Sequence, residues 1–308
     1  MNLKKILPAT TLFTDFFNSE KSGGILLIFI TITSLILSNT AFGTNYIEFW
    51  NTSFNHHTIT LWINDGLMTI FFLLIGLELE REIYDGELSD LKSASLPIFA
   101  ALGGMIVPAG IFIAFNYGTA TQDGAGIPMA TDIAFAIAIL SLLGSRIPLS
   151  LKIFLTALAV MDDLGAIIII SIFYTNTISL LNLFLALGTF GILLVLNRLK
   201  IRNLIPYLIG GVIMWYFMLQ SGVHATITGV LLAFAIPFGN GDKKSSSYIL
   251  QHFLHKPVAF IILPIFALAS TAIAIPDTWQ TGLLSSNSIG IILGLSAGKA
   301  IGIFLFSF

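Results

Sequence analysis

The chain has 308 residues, 56% of them hydrophobic and 10% charged, with a mean hydropathy of +0.93. Ordinary soluble domains carry roughly 25% charged residues, so this composition excludes a water-facing globule. The absence of cysteine excludes disulfides, thiolate metal sites and cysteine nucleophiles, and a net charge of −2 excludes a nucleic-acid surface.

What remains is an all-α polytopic membrane protein. At roughly 20 apolar residues per crossing, its length holds about ten transmembrane helices. Lys4 and Lys5 lead into a polar and aromatic stretch, Thr10 to Glu20, and not into an apolar run with a cleavage site. No removable signal peptide is therefore expected, and the first span serves as the insertion signal.

Taken in chain order, apolar runs fall at 22–39, 59–80, 95–116, 126–144, 150–175, 180–197, 204–219, 223–238, 248–272 and 288–308. The basic residues arrange themselves around these runs. Lys4, Lys5 and Lys21 precede span one, Arg81 and Lys92 follow span two, and Arg146 and Lys152 flank the turn between spans four and five. Arg198, Lys200 and Arg202 separate six from seven, and Lys243, Lys244 and Lys256 surround the link between eight and nine. All of them lie on one side of the membrane, and the positive-inside rule makes that side cytoplasmic, with the N-terminus inside. The opposite loops, 40–58, 117–125, 176–179, 220–222 and 273–287, contain no Lys or Arg.

The remaining basic residue, Lys299, lies inside span ten, and Asp65, Asp132, Asp162 and Asp163 also lie inside spans. An ionised side chain at mid-bilayer costs about 2.5–3.5 kcal/mol on insertion scales, so each needs a partner or a function. Pairing that merely glues helices together does not account for the set, because these four acids face one base. The surplus must be protonated, hydrated or bound to a cation.

In Ala157-Leu-Ala-Val-Met-Asp-Asp-Leu-Gly-Ala166, two acids are adjacent. Neighbours on a helix point about 100° apart, so Asp162 and Asp163 cannot both face one small partner, though both can border a cavity. Close carboxylates repel and titrate as a coupled pair. A wet intramembrane carboxylate that holds either a proton or a small hard cation such as Na⁺ or Li⁺ is suited to ion exchange.

In span four, Gly124, Gly126 and Pro128 precede Thr131 and Asp132. The glycines and the proline predict an interrupted helix whose freed backbone groups require a polar interior. A simple proline kink with a capping Asp is the competing explanation. In span ten, Gly290, Gly294, Gly298 and Gly302 leave one face bare for close helix packing and thereby fix the rotation of Lys299.

His56 and His57 read as ordinary external-loop residues, and His224 lies at the mouth of span eight. His252 and His255 sit at the cytoplasmic entrance of span nine, where imidazoles can follow internal pH. Glu78, Glu80 and Glu82, with Arg81, end span two on the same side; such clusters are usually solvated helix ends.

Together these residues resemble the NhaA family of bacterial sodium/proton antiporters, a standard instance of inverted repeats with broken helices. The matching strings are Leu61-Trp-Ile-Asn-Asp65, Phe71-Phe-Leu-Leu-Ile-Gly-Leu-Glu78, Gly103-Gly-Met-Ile-Val-Pro108, Ala130-Thr-Asp-Ile-Ala-Phe135, Leu151-Lys-Ile-Phe154, Met161-Asp-Asp-Leu-Gly-Ala166, Ser221-Gly-Val-His-Ala-Thr226 and Gly298-Lys299.

The resemblance implies an inner-membrane exchanger that expels Na⁺ or Li⁺ against entering protons, without a cofactor. It implies that Asp163 is the main ion-binding and proton-releasing carboxylate, with Asp162 beside it, pairing with Lys299 when the ion is absent. Thr131 and Asp132 would serve the broken helix, Asp132 balancing half-helix dipoles. Glu78, Arg81, Glu82, His224 and His252 would belong to pH regulation. The external loop 40–58 is the candidate surface for a homodimer.

Two departures follow. Gln251 stands where the family often has an acid beside the histidine. The family has about twelve spans, so residues 1–308 are expected to form a single antiporter domain of NhaA-like inverted-repeat fold lacking the last two helices, and to transport poorly without them. The rival readings are a truncated, non-transporting antiporter remnant and an intramembrane aspartic protease. The protease would use Asp132 and Asp162, but it lacks the Gly-x-Gly-Asp setting and a role for a membrane lysine.

Overall fold

The computed structural model describes residues 6–54, 57–130 and 178–308, with scattered positions between 148 and 169. The chain divides into two compact units. The first comprises Met1–Tyr84, Ile137–Gly144 and Thr175–Ala274; the second comprises Asp85–Ala136, Ser145–Tyr174 and Ile275–Phe308.

In the first unit, α1 (Ile6–Ser38) turns sharply into α2 (Gly43–Asn51), the apolar part Ser22–Ser38 meeting α2 at 112°. Gly43 makes the turn feasible, because a Cβ there would strike the Ser38 carbonyl. A two-residue hairpin follows, β1 (Ser53–Phe54) against β2 (His57–Thr58), antiparallel with Ser53 opposite Thr58. Loop 40–58 is thus largely structured, which its polar composition did not predict.

Helix α3 (Ile59–Asp85) starts where the Thr58 hydroxyl accepts the Leu61 N–H, a standard N-cap. One wide π-turn, Ile63–Leu67, interrupts it at Asp65. Such a turn frees a carbonyl. Here the Asp65 carbonyl accepts from the Trp215 indole N–H at 2.7 Å and from the Thr69 hydroxyl.

Helices α5 (Leu180–Arg198) and α6 (Leu204–Ser221) follow in this unit, α4 (Leu91–Asn116) belonging to the second. Asn203 caps α6, and Gly222, in the left-handed region at φ 85°, closes it. Helix α7 (Ile227–Ala235) has only nine residues, about 14 Å of rise, so the span expected over 223–238 is not a full helix. Its Gly229 lies against the α3 backbone at Thr69 and Leu73, an approach any side chain would block.

Helix α8 (Ser246–Ser270) is capped by Ser245 and widens into a π-turn at Val258–Ile262. Pro264 cannot donate to the carbonyl four residues before it, which accounts for the widening. Leu73, Leu77, Tyr207, Met214, Leu232 and Leu254 form part of the buried core joining α3, α6, α7 and α8. By contrast, α5 exposes Leu181, Phe184, Ile192 and Val195, a face suited to hydrocarbon.

In the second unit, α4 (Leu91–Asn116) is central. A 3-10 segment, Gln122–Met129, follows it, and Ala130 is extended, so the helix expected from residue 126 does not run through this stretch. After the short α9 (Trp279–Leu283) comes α10 (Ser286–Phe306), capped by Ser285 and widened by a π-turn at Gly294–Gly298. Helices α4 and α10 run antiparallel. Gly103 meets Gly302 at a backbone distance that a side chain would prevent, and Gly298 and Gly290 lie closely against Pro108 and Ile111 and against Phe112 and Asn116. The glycine stripe therefore packs as expected.

Among the described residues, six helices are long and apolar enough to cross a membrane, or seven if the bent pair is one span. They correspond to the expected spans two, three, six, seven, nine and ten, with span one in the bent pair. Spans four and five fall largely outside the described residues.

Candidate ion-exchange site

The described turns at Ala157–Ala159 and Met161–Asp162 are helical, and this segment packs on α4 through Leu158, Ala101 and Met105. Gly104 of α4 lies beside it, where a Cβ would be in ordinary contact, 3.8 Å, with the Asp162 carboxylate. Helix α10 brings Lys299 to the same place. Its ammonium lies 2.7 Å from Asp162 Oδ2, with the lysine side chain 11% exposed and the aspartate 1%. Lys299 also donates to the carbonyl of Met129, the last residue of the 3-10 segment.

The expected pairing of Asp162 with Lys299 is therefore observed. It is a charge-assisted contact, short and shielded from water. Asp163, Thr131 and Asp132 lie outside the described residues.

A second polar group lies within the first unit, between the end of α3 and the start of α8. Glu78 Oε1 lies 3.3 Å from His255 Nε2, an ion pair only while the imidazole is protonated. The Arg81 Nε–H donates to Gln251 Oε1 at 2.8 Å, and the guanidinium sits 5.0 Å from the centre of the Tyr248 ring. Ser247 donates to Glu80 Oε2 at 3.2 Å. Glu78, Glu80, Ser247, Gln251 and His255 are all buried, so this is no solvated helix end.

The family-based expectation names Glu78, Arg81, Glu82 and His252 here. The structure brings Glu78 and Arg81 into the ladder. Glu82 is half-buried, and His252 is exposed and stacked on Tyr248. His255, expected to follow internal pH, joins the ladder; Glu80, expected at a solvated helix end, is buried in it, and Ser247 is a member that the sequence reading does not name. The signal existed, because Ser247, Gln251 and His255 recur every four residues and share one helix face.

His224 lies in the turn before α7. Among the described residues, no group of three or more His, Cys, Asp or Glu is placed to hold a metal ion.

A mostly helical membrane chain buries an acid–lysine pair where three segments meet, and the family it matches makes it a secondary transporter, not an enzyme. Residues 14–308 match the family model described as Na⁺/H⁺ antiporter 1, and the chain belongs to that family. It is 70% identical over 298 residues to a Na⁺/H⁺ antiporter NhaA of Flavobacterium psychrophilum, covering 97% of this chain and 78% of that protein. It is 67% identical to Na⁺/H⁺ antiporter NhaA 1 of Flavobacterium johnsoniae and 62% identical to an NhaA of Cytophaga hutchinsonii, with the same two coverages in each case. These comparisons lend no support to an aspartic protease or a non-transporting remnant.

Proposed function

We propose that this chain exchanges cytoplasmic Na⁺ or Li⁺ for external protons across the bacterial inner membrane, serving sodium and pH homeostasis. The observation that carries the reading is the buried Asp162–Lys299 pair at 2.7 Å, adjoining a second carboxylate in sequence. Sodium and protons compete for Asp163 and Asp162 as the cargo site. Lys299 neutralises Asp162 while no cation is bound. Thr131 and Asp132 serve the broken helix, and the extended Ala130 supports an interruption there.

Glu78, Arg81 and Glu82, with His252 and His224, tune the response to pH; the Glu78 and Arg81 contacts with α8 support this. Residues 1–308 act as one antiporter domain of about ten spans with a cytoplasmic N-terminus, a reading supported by the one-sided distribution of Lys and Arg. The hairpin and helix of loop 40–58 offer the surface for a homodimer.

The test is sodium-dependent proton movement in everted vesicles from cells lacking their own sodium exchangers. Wild-type chain should dissipate an imposed proton gradient on sodium addition, and Asp163→Asn should not, at equal expression. Full flux by that variant would remove Asp163 from the site.

A further inference from the structure

Within the glycine stripe of α10, the four positions do not touch the same things. A Cβ at Gly302 would strike the Gly103 backbone, and one at Gly290 would lie 2.8 Å from the Asn116 side-chain nitrogen. At Gly294 the nearest obstacle is Pro128, whose Cβ would be 2.8 Å away, closer than carbon atoms of packed side chains approach, with the Pro108 carbonyl of α4 next at 3.2 Å. Pro128 immediately precedes Met129, whose carbonyl accepts from Lys299. The bare surface of Gly294 thus seats the proline that fixes where this carbonyl sits. The π-turn Gly294–Gly298 ends at Lys299, so one short stretch of α10 sets both partners of the hydrogen bond.

We infer that Gly294 is a positioning residue of the exchange site. Acting through Pro128, it holds the Met129 carbonyl as a second acceptor for Lys299, so that the ammonium is shared with Asp162 and can be released to it or from it. This rests on the exchange reading above. A cation entering at Asp162 has to displace the ammonium, and an ammonium that keeps one fixed acceptor loses less on leaving the carboxylate. Moving the carbonyl away leaves Lys299 dependent on Asp162 alone, and sodium then competes less well.

The experiment compares wild type, Gly294→Ala, Pro128→Ala and Gly290→Ala in the everted-vesicle assay across a sodium titration. Gly294→Ala displaces Pro128 by overpacking. Pro128→Ala loosens the same carbonyl without overpacking and covers the case in which the first variant fails to insert. Loss of one charged hydrogen bond should raise the apparent KM for sodium about tenfold in both, with the maximal rate within about twofold of wild type. Gly290→Ala, which crowds the same helix pair elsewhere, should leave KM unchanged. A KM in Gly294→Ala and Pro128→Ala equal to that of Gly290→Ala, with wild type active, overturns the inference and leaves the exchange reading standing. No sodium-dependent flux in wild type overturns both.

Discussion

The two units bury charge between helices in different ways. In the second, among the described residues, an opposite-charge pair, Asp162 and Lys299, meets beside a helix pair brought close by glycines. In the first, α3 and α8 are joined by a ladder that mixes kinds of contact: Ser247 on Glu80, Gln251 and Tyr248 on Arg81, His255 on Glu78. A short ion pair concentrates its energy in a contact that a competing ion can replace. A ladder spreads it over several contacts of different kinds, which suits graded adjustment more than exchange.

If this contrast holds, the largest single-site effects belong to the pair. Removing one partner of a buried ion pair leaves an uncompensated charge and typically costs about 3–5 kcal/mol. Lys299→Ala should therefore lower thermal stability in detergent more than any single ladder variant. The double variant Lys299→Ala with Asp162→Asn should recover most of that loss, since no charge is then stranded. A double variant no more stable than Lys299→Ala would show that the pair is not the source of the effect.

The next effect distinguishes the ladder by its pH dependence. The Glu78–His255 rung is an ion pair only with a protonated imidazole, so its stabilisation is present at acid pH and fades as the imidazole deprotonates. The stability difference between wild type and His255→Ala should accordingly shrink from mildly acidic to alkaline pH, from an acid-side value of about 1–3 kcal/mol. The difference for Arg81→Ala should not follow that imidazole, because its Nε–H is held by the neutral amide of Gln251. Parallel profiles for the two variants would remove the distinction between the rungs.

The pair and the ladder were unequally legible in the sequence. Asp162 and Lys299 announce themselves because a charge inside an apolar run has to be explained. The ladder does not, because Glu78, Glu80 and Arg81 sit at a span end where charge is unremarkable, and their burial depends on α8 packing there. Six spans could be located from hydropathy. Three features could not: the sharp turn at Gly43, the helix and hairpin within loop 40–58, and the π-turns at Asp65 and before Lys299. The turn and the loop elements are set by close contacts, Gly43 against the Ser38 carbonyl and Ser34 donating to Leu268 of α8 while meeting the Tyr46 hydroxyl. The shortness of α7 was hidden for a different reason. Its flanks Val223 and Ile236 are as apolar as the helix itself, and only Gly222 and Pro237 hint at its limits.

The smallest expected effect probes what holds Arg81 in its rung. The guanidinium lies 5.0 Å from the Tyr248 ring centre while its Nε–H engages Gln251. If the ring face is what matters, Tyr248→Phe keeps the attraction and should change stability by no more than about 0.5 kcal/mol, whereas Tyr248→Leu should cost about 0.5–2 kcal/mol. Arg81→Lys should resemble Tyr248→Leu more than a neutral exchange, since lysine keeps the charge but loses the planar group that can stack and donate at once. A Tyr248→Phe variant as damaged as Tyr248→Leu would shift the role to the phenol hydroxyl. Arg81 would then be held chiefly by Gln251, and Gln251→Ala would become the more damaging change.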